Sequence, residues 1–394
     1  VYKRQPSVRV MQGVVVRGGP DIDAVRLGTV ARETRVKALE HSPGAGCEAG
    51  WIRIGVSDWL CARYLEVDER EPAGEVLPPM EPDHLVPGEY GDVRGDRAVL
   101  FASPRQIARG IPSRTIYGHT VLHKVEDADV DGKAYWKTGS GEYILAESIK
   151  PYKPSAFHGL QLETGLTLPL VFVMPGSKPD KLGVESPSLL PLSAGRGFAT
   201  VLERSALGKA RAGERRAHKY RIGVDEWISS PLLRYAELVT PPPDVQPTER
   251  WIDLNLDEQV LVGYVGPTPV FATLVSTGRR DPTPRGRFRI YLKYPETSMA
   301  SEMGDDRPYQ IETVPWTQFF QAGIALHCAY WHNGFGNPRS RGCVNLAPMD
   351  AKFLFHWTDP QPPPGWSAMS GVKERPGTLI QIRRHGDEVL HYYG

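Results

Sequence analysis

The chain has 394 residues, 40% of them hydrophobic, with 47 basic against 46 acidic side chains and a formal charge of +1. At roughly 100–200 residues per domain, this length predicts about two to four domains. The balanced charge gives no electrostatic footprint for nucleic acid. No apolar run approaches the ~18 residues of a membrane span, the longest candidate, Leu168 to Met174, being broken by Pro169.

The 40 glycines and 36 prolines, about a fifth of the chain, favour short strands and turns over long helices, so the predicted fold class is mainly β. No charged-then-apolar secretion signal is legible after Val1. The first module is placed at 1–68. Val8 to Val10, Val14 to Val16 and Trp51-Ile52-Arg53-Ile54 alternate as strands do, with turns at Gly18-Gly19-Pro20-Asp21 and Ser42-Pro43-Gly44. Trp51 and Ile54, followed by Asp58-Trp59-Leu60, resemble the end of a bacterial SH3-like β-barrel. Four cysteines are too few for a disulfide scaffold, but Cys47 and Cys61 could pair across this one module.

An acidic, Pro-rich linker is placed at 69–87, and a second SH3-like module at 88–155. There Ala134-Tyr135-Trp136-Lys137-Thr138, a Gly139-Ser140-Gly141 turn and Glu142-Tyr143-Ile144 echo the first. A third β-rich module at 156–240 carries a further echo from Tyr220 to Ile228. The aromatics Trp51, Trp59, Tyr135 and Trp136 are read as barrel core in preference to a peptide or glycan groove. Pro241-Pro242-Pro243 marks an extended linker at 241–250.

The last region, 251–394, opens with period-two alternation from Trp251 to Leu256. Gln259 to Val265 and Pro269 to Ser276 read as strands around a Gly266-Pro267-Thr268 turn. Arg287 to Leu292 and Ile324 to Ala329 read as two more. Pro348 suits the first turn of a helix, with Ala351, Leu354 and Phe355 on its apolar face.

The chemistry-bearing residues cluster between His327 and Asn345. On an extended strand, Ile324, Leu326 and Cys328 share the core face, and His327 projects from the other face past Ala325 and Ala329 toward open space. Cys328 is expected to be a buried, inert thiol. Cys343 follows Gly342, which permits positive φ or a close approach by substrate. A free thiol at a pKa of ~8.5 is mostly neutral at pH 7; Arg341 and His327 nearby would favour the thiolate. The N–H groups of Gly342 and Cys343 are candidates for an oxyanion hole, and Ser340 could brace the loop. A zinc site from His327, Cys328, His332 and Cys343 is disfavoured, because His327 and Cys328 point to opposite faces and the usual paired ligand spacing is missing.

Ser340-Arg341-Gly342-Cys343-Val344-Asn345, with His327 upstream, resembles the signature of the YkuD-type L,D-transpeptidases. Gln259-Val260-Leu261-Val262 with Thr273 to Gly278 resembles the family's opening hairpin, Thr283-Pro284-Arg285-Gly286 its Thr-Pro-x-Gly turn, and Asp350-Ala351 fits as well. The resemblance covers about 250–385. Arg341 stands where the family often has His, which leaves His327 as the expected base and His332 as a nearby substitute or substrate contact.

The resemblance implies a β-sandwich-like catalytic domain with a short helix. It implies that Cys343 attacks the L-centre carbonyl of a peptidoglycan tetrapeptide stem with loss of D-alanine, His327 taking the thiol proton. Gly342, Ser340 and Arg341 would support the loop, and His332, Tyr330, Trp331 and Asn345 would contact substrate. The thioester would pass to an amine of a second stem, giving a 3→3 cross-link, or to water, giving a carboxypeptidase. No metal or organic cofactor is required. The implied partners are peptidoglycan stem peptides and the implied location is the cell envelope; oligomeric state is not legible. Papain-like endopeptidases run Cys before His, the reverse of this order, and sortases have a longer His–Cys separation with an Arg well downstream. A wall-binding protein with a vestigial catalytic domain is the reading from another class; the presence of both His327 and Cys343 opposes it.

Overall fold

A computed structural model describes residues 7–77, 80–162, 165–175, 187–206, 218–229, 231–301, 304–305, 308–387 and 392–393. The chain divides into two compact units, one of 1–154, 293–317 and 362–370, the other of 155–292, 318–361 and 371–394. It is mainly β; among the described residues the α-helices are Pro104–Ala108 and Pro348–Trp357.

In the first unit, Ser7–Val10 runs antiparallel to both Arg35–Lys37 and Leu65–Asp68. Val14–Arg17 pairs with Arg26–Val30, and Trp51–Arg53 lies between Glu40–Ser42 and Trp59–Cys61. Val8, Val10, Val14 and Val16 are buried, as period two requires of one face. Cys47 and Cys61 form a disulfide beside Trp51 and Trp59. Farther along, Glu89–Val93 lies between His119–Val130 and Ile149–Pro151, and Lys133–Thr138 between His119–Val130 and Tyr143–Leu145. Leu100, Ile116, Leu122, Trp136 and Ile144 form the core there. Trp51, Trp59, Tyr135 and Trp136 are all buried, so these aromatics are core.

The expected barrels are corrected in one respect: no closed barrel forms among the described residues. Closure needs the last strand of a ladder to bond back to the first. In the first module, Arg35–Lys37 and Leu65–Asp68 are the edges of a three-stranded sheet, and Glu40–Ser42 ends a different one.

The second unit is built on a seven-stranded sheet. Its order is Leu160–Gln161, Thr268–Leu274, Val260–Val265, Arg250–Asn255, Leu379–Arg383, Gly286–Arg289 and Tyr392–Tyr393. The central Arg250–Asn255 is antiparallel to Val260–Val265 and parallel to Leu379–Arg383. It is buried on both faces, so its one acid needs internal partners. Asp253 takes Arg383 Nε at 2.8 Å, Arg383 Nη2 at 2.9 Å and Gln381 Nε2 at 3.0 Å.

Between 155 and 240 lie a four-stranded sheet, ordered Leu190–Leu192, Arg196–Thr200, Leu170–Val173 and Leu233–Ala236, and a three-stranded one of Glu203–Ala206, His218–Gly223 and Glu226–Ile228. One core joins the four-stranded sheet to the seven-stranded one: Phe157, Leu170, Phe172 and Ala236 pack with Trp251, Tyr264, Leu274 and Phe335. At roughly 1.5–3 kcal/mol per fully buried large apolar side chain, this contact fastens the two sheets firmly.

Ile324–Cys328 pairs antiparallel with the residues from Gln318 to Gln321 and parallel with Val344–Leu346. Pro348–Trp357 follows, with Pro in its first turn and Ala351, Leu354 and Phe355 buried. Asp350, in the same first turn, is also buried; it accepts from the Gly159 N–H at 2.8 Å and from the Thr273 hydroxyl.

Candidate functional site

The parallel pairing of Ile324–Cys328 with Val344–Leu346 sets Leu326 beside Val344, His327 beside Asn345 and Cys328 beside Leu346. Alternation puts Leu326, Cys328, Val344 and Leu346 on the core face. Ala325, His327 and Asn345 therefore share the other face, and Cys343 immediately precedes the strand, two residues before Asn345. The parallel pairing brings the two ends of the motif side by side, and the stretch between residues 328 and 344 is long enough for the crossover that a parallel pair needs.

That loop is tied to the strand end after Thr268–Leu274. Ser276 exchanges both backbone hydrogen bonds with Asn345, the Gly336 N–H donates to the Val275 carbonyl, and the Arg339 and Ser340 N–H groups both reach Thr277. Thr283 accepts from the Gly278 N–H at 2.9 Å and donates to the Gly342 carbonyl at 2.8 Å. Gly278 and Gly342 allow this close packing: a Cβ on Gly278 would come within 3.1 Å of Gly342 Cα and 2.3 Å of Pro282 Cγ, and Gly342 has φ +154°.

The Cys343 thiol is half-buried and lies 3.8 Å from the Gly323 carbonyl, to which it donates. Burial pushes the thiol above its ordinary pKa, and a backbone hydrogen bond from Ala325 pulls the other way. The expectation that Arg341 and His327 hold it as a thiolate is corrected, because desolvation is the larger influence. Arg341 is exposed at the surface.

His327 is 3% exposed, which corrects the expectation that it faces open space. Alternation chooses a face but not what covers it, and here Trp331 packs against the ring, tilted by 31° at 5.7 Å between centroids. Burial lowers the imidazole pKa to about 4, against a smaller opposing effect of the Cys328 carbonyl. His327 Nδ1 lies 2.9 Å from that carbonyl. A carbonyl only accepts, so the proton of the neutral ring sits on Nδ1 and Nε2 carries the basic lone pair. This is the state required of a general base.

His332 is half-buried, with a pKa lowered to about 4, first by burial and then by Arg339, His327 and Arg279. The Gly334 N–H donates to its Nδ1 at 3.1 Å, so its neutral ring is protonated on Nε2. Nε2 lies 3.0 Å from the Asn345 side-chain amide, whose other end, Oδ1, is buried without a partner. Turning the amide over lets Oδ1 accept the Nε2–H, which gives the imidazole proton its acceptor. Asn345 thus stands between the two imidazoles.

Ser340 braces the loop as expected: its hydroxyl donates to the Cys343 carbonyl and accepts from the Gly342 N–H at 3.0 Å. That second bond corrects one oxyanion assignment. The Gly342 N–H is engaged by Ser340, so of the pair only the Cys343 N–H stays a candidate. Tyr330 is corrected as a substrate contact, since it is fully buried, edge-on to Trp331. Asn345 is 3% exposed and orients His332. Trp331 and His332 remain accessible at the rim.

Two buried arginines escaped sequence reasoning. Arg196 donates to the Asn333 carbonyl at 2.8 Å, and Arg234 to the Gly336 carbonyl at 2.6 Å. No local pattern marks them, because their partners lie more than a hundred residues away. Among the described residues, no three His, Cys, Asp or Glu side chains converge as metal ligands, and no helix is long and apolar enough to cross a membrane.

Residues 249–382 match the YkuD family, the L,D-transpeptidase catalytic domain. No curated protein matches the chain. Among solved structures, an L,D-transpeptidase of Enterococcus faecium is 19% identical over 38% of this chain and 55% of its own, at a TM-score of 0.28. One from Stackebrandtia nassauensis is 23% identical over 36% and 60%, at a TM-score of 0.25. One from Mycobacterium smegmatis is 16% identical over 59% of this chain and all of its own, at a TM-score of 0.28. The match spans little more than half the length of the first two structures.

Proposed function

We propose that this protein is a cysteine-dependent peptidoglycan L,D-transpeptidase. The observation that carries the reading is the pairing of His327 with Asn345, two residues after Cys343, inside the matched catalytic domain. The thiol of Cys343 attacks the carbonyl of the L-centre residue in a tetrapeptide stem. His327 Nε2 takes the thiol proton, and the imidazolium returns it to the departing D-alanine amine. The Cys343 N–H stabilises the oxyanion of the tetrahedral intermediate. The thioester then passes to an amine of a second stem, which gives a 3→3 cross-link.

The rim supports a carboxylate-bearing substrate. Arg279, Arg280 and Arg339 are exposed on the loops that hold Cys343, and a stem peptide carries free carboxylates that arginine recognises well. Trp331 offers an apolar surface beside them. The 1–68 and 88–155 modules are proposed to bind the wall, and the site of action to be the cell envelope. Removing residues 1–154 should then lower activity on whole sacculi more than on soluble stems.

The test is mass spectrometry of a soluble disaccharide-tetrapeptide after incubation, with Cys343→Ala in parallel. A dimer lacking one D-alanine, absent with the variant, supports transpeptidation. A tripeptide alone points to a carboxypeptidase. No change that depends on Cys343 removes the catalytic reading and favours a wall-binding role.

A further inference from the structure

We propose that Arg196 and Arg234, both outside the matched catalytic domain, are positioning residues that clamp the loop after His332 and thereby select its ring tautomer. The inference rests on the acyl-transfer reading only for its catalytic consequence.

The two guanidinium groups come from Arg196–Thr200 and Leu233–Ala236, strands of the four-stranded sheet. Both are buried, at 4% and 7% exposure. Arg196 Nη2 donates to the Asn333 carbonyl at 2.8 Å and Nη1 to Asn333 Oδ1 at 3.1 Å, while the guanidinium lies 4.4 Å over the Phe157 ring. Ser155 reaches the same Asn333 Oδ1 at 2.6 Å. Arg234 Nε donates to the Gly336 carbonyl at 2.6 Å and Nη2 to Asn337 Oδ1 at 2.9 Å. A second pair of bonds, to the Pro231 and Leu233 carbonyls at 2.8 Å each, fixes Arg234 in its own strand.

Burying an arginine is costly, and the cost is offset only when its forked donors are well used. Here many of those donors are spent on one short stretch, Asn333 to Asn337. Gly334 and Phe335 lie between the two clamps. The Gly334 N–H donates to His332 Nδ1, the Gly334 carbonyl accepts from Ser276 Oγ at 3.2 Å, and the Phe335 ring packs 4.8 Å from the imidazole. The clamps therefore aim a backbone donor at Nδ1. With Nδ1 occupied as an acceptor, the ring proton stays on Nε2, facing Asn345. Asn345 in turn pairs with His327 across the strands. Freeing the loop releases Nδ1, admits the other tautomer and lets the Asn345 amide turn.

The experiment uses the full chain with nitrogen-15-labelled histidine. Long-range proton–nitrogen correlation reads the His332 tautomer, assigned by its loss in His332→Gln. Wild type should show His332 as a single Nε2–H tautomer. Arg196→Gln and Arg234→Gln should each give a mixture, with kcat on the stem peptide lowered about tenfold or more at a little-changed KM. Arg196→Lys, which keeps the charge but not the fork, should fall between. A wild-type His332 protonated on Nδ1 overturns the proposal without any variant. So does an unchanged single tautomer in both folded Gln variants, whatever their melting temperature. If wild type shows no turnover on any stem, the acyl-transfer reading fails while the tautomer arm still decides this one.

Discussion

His327 and Asn345 face each other across a parallel strand pair, two residues beyond the thiol of Cys343. This places a base whose proton is parked on Nδ1 next to an amide that holds a second imidazole. Replacing Asn345 with Leu leaves His332 Nε2–H without its acceptor in a half-buried setting, which costs about 1–3 kcal/mol. The variant is expected to stay folded with a lowered melting temperature and to lose its single His332 tautomer. A His332 signal unchanged in Asn345→Leu would show that the amide does not hold the ring.

Cys343 and Cys328 are expected to differ sharply in reactivity. Cys343 is half-buried, whereas Cys328 is fully buried and its thiol pKa is pushed far up by desolvation. In the folded protein iodoacetamide should add one adduct, absent in Cys343→Ala. Cys328 should react only after unfolding. Intact-mass measurement reads both, and an adduct that survives Cys343→Ala in the folded state would reverse the assignment.

His327→Gln should reduce turnover by about 10²–10⁴-fold, the usual contribution of a positioned base. The imidazole pKa falls from 6.5 unfolded to about 4 folded, because burial disfavours the charged ring. The unfolded chain thus binds the extra proton between those values. Stability from this group is complete above about pH 6.5 and is lost as pH falls toward 4, by about 3 kcal/mol in all. Activity should accordingly persist to unusually low pH, its acid limb lying near 4. Denaturant unfolding of wild type and His327→Gln at pH 7 and pH 4.5 should show the acid loss shrinking in the variant; equal losses would mean that His327 is not buried neutral.

Much of the site was legible because its signal is local. Ser340, Gly342, Cys343 and His327 lie within one short stretch, and period two correctly separated His327 from Cys328. The resulting burial was not legible, because Trp331 covers the ring through a turn that alternation does not encode. Nor was the use of the Gly342 N–H, which depends on the rotamer of Ser340. Arg196 and Arg234 find their acceptors 137 and 102 residues away, a separation at which no window reading operates. The strands expected around Trp251, Val260, Pro269 and Ile324 form within a residue or two of their bounds, whereas the one expected from Arg287 to Leu292 ends at Arg289, and Leu292–Ala300, Tyr309–Gln321, Trp366–Ser370 and Leu379–Arg383 were not anticipated. Barrel closure failed because edge pairing is decided by strands far apart in sequence.

The Cys47–Cys61 disulfide closes a loop with a sequence separation of 14 in the first module. A loop of that length contributes about 3 kcal/mol by restricting the unfolded chain. Cys47→Ala/Cys61→Ala should lower the stability of that module by about this amount. Because Cys343 lies in the other unit, its alkylation rate should be unchanged. Calorimetry of the double variant alongside the iodoacetamide rate tests both halves; a slowed alkylation would reveal a dependence of the site on the first module.

Asp350 illustrates a carboxyl kept for its hydrogen bonds against the pull of burial. Desolvation raises its pKa from 3.8 to about 6, although Thr273 and the Gly159 N–H favour the charged form. The folded state therefore binds the proton more tightly than the unfolded one. The group's contribution is most favourable below pH 4 and declines as pH rises through 6, by roughly 3 kcal/mol. Asparagine is nearly isosteric and cannot ionise: its oxygen can take the Gly159 N–H, and its amide can donate to Thr273 Oγ1 once that hydroxyl turns toward the Leu274 carbonyl, 3.4 Å away. The stability of Asp350→Asn minus wild type should therefore rise by about 3 kcal/mol between pH 4 and pH 7.5. Effects of other titrating groups cancel in that difference, so denaturant melts of the two proteins isolate Asp350. A flat difference would mean that the carboxylate is stabilised inside the fold as well as in water.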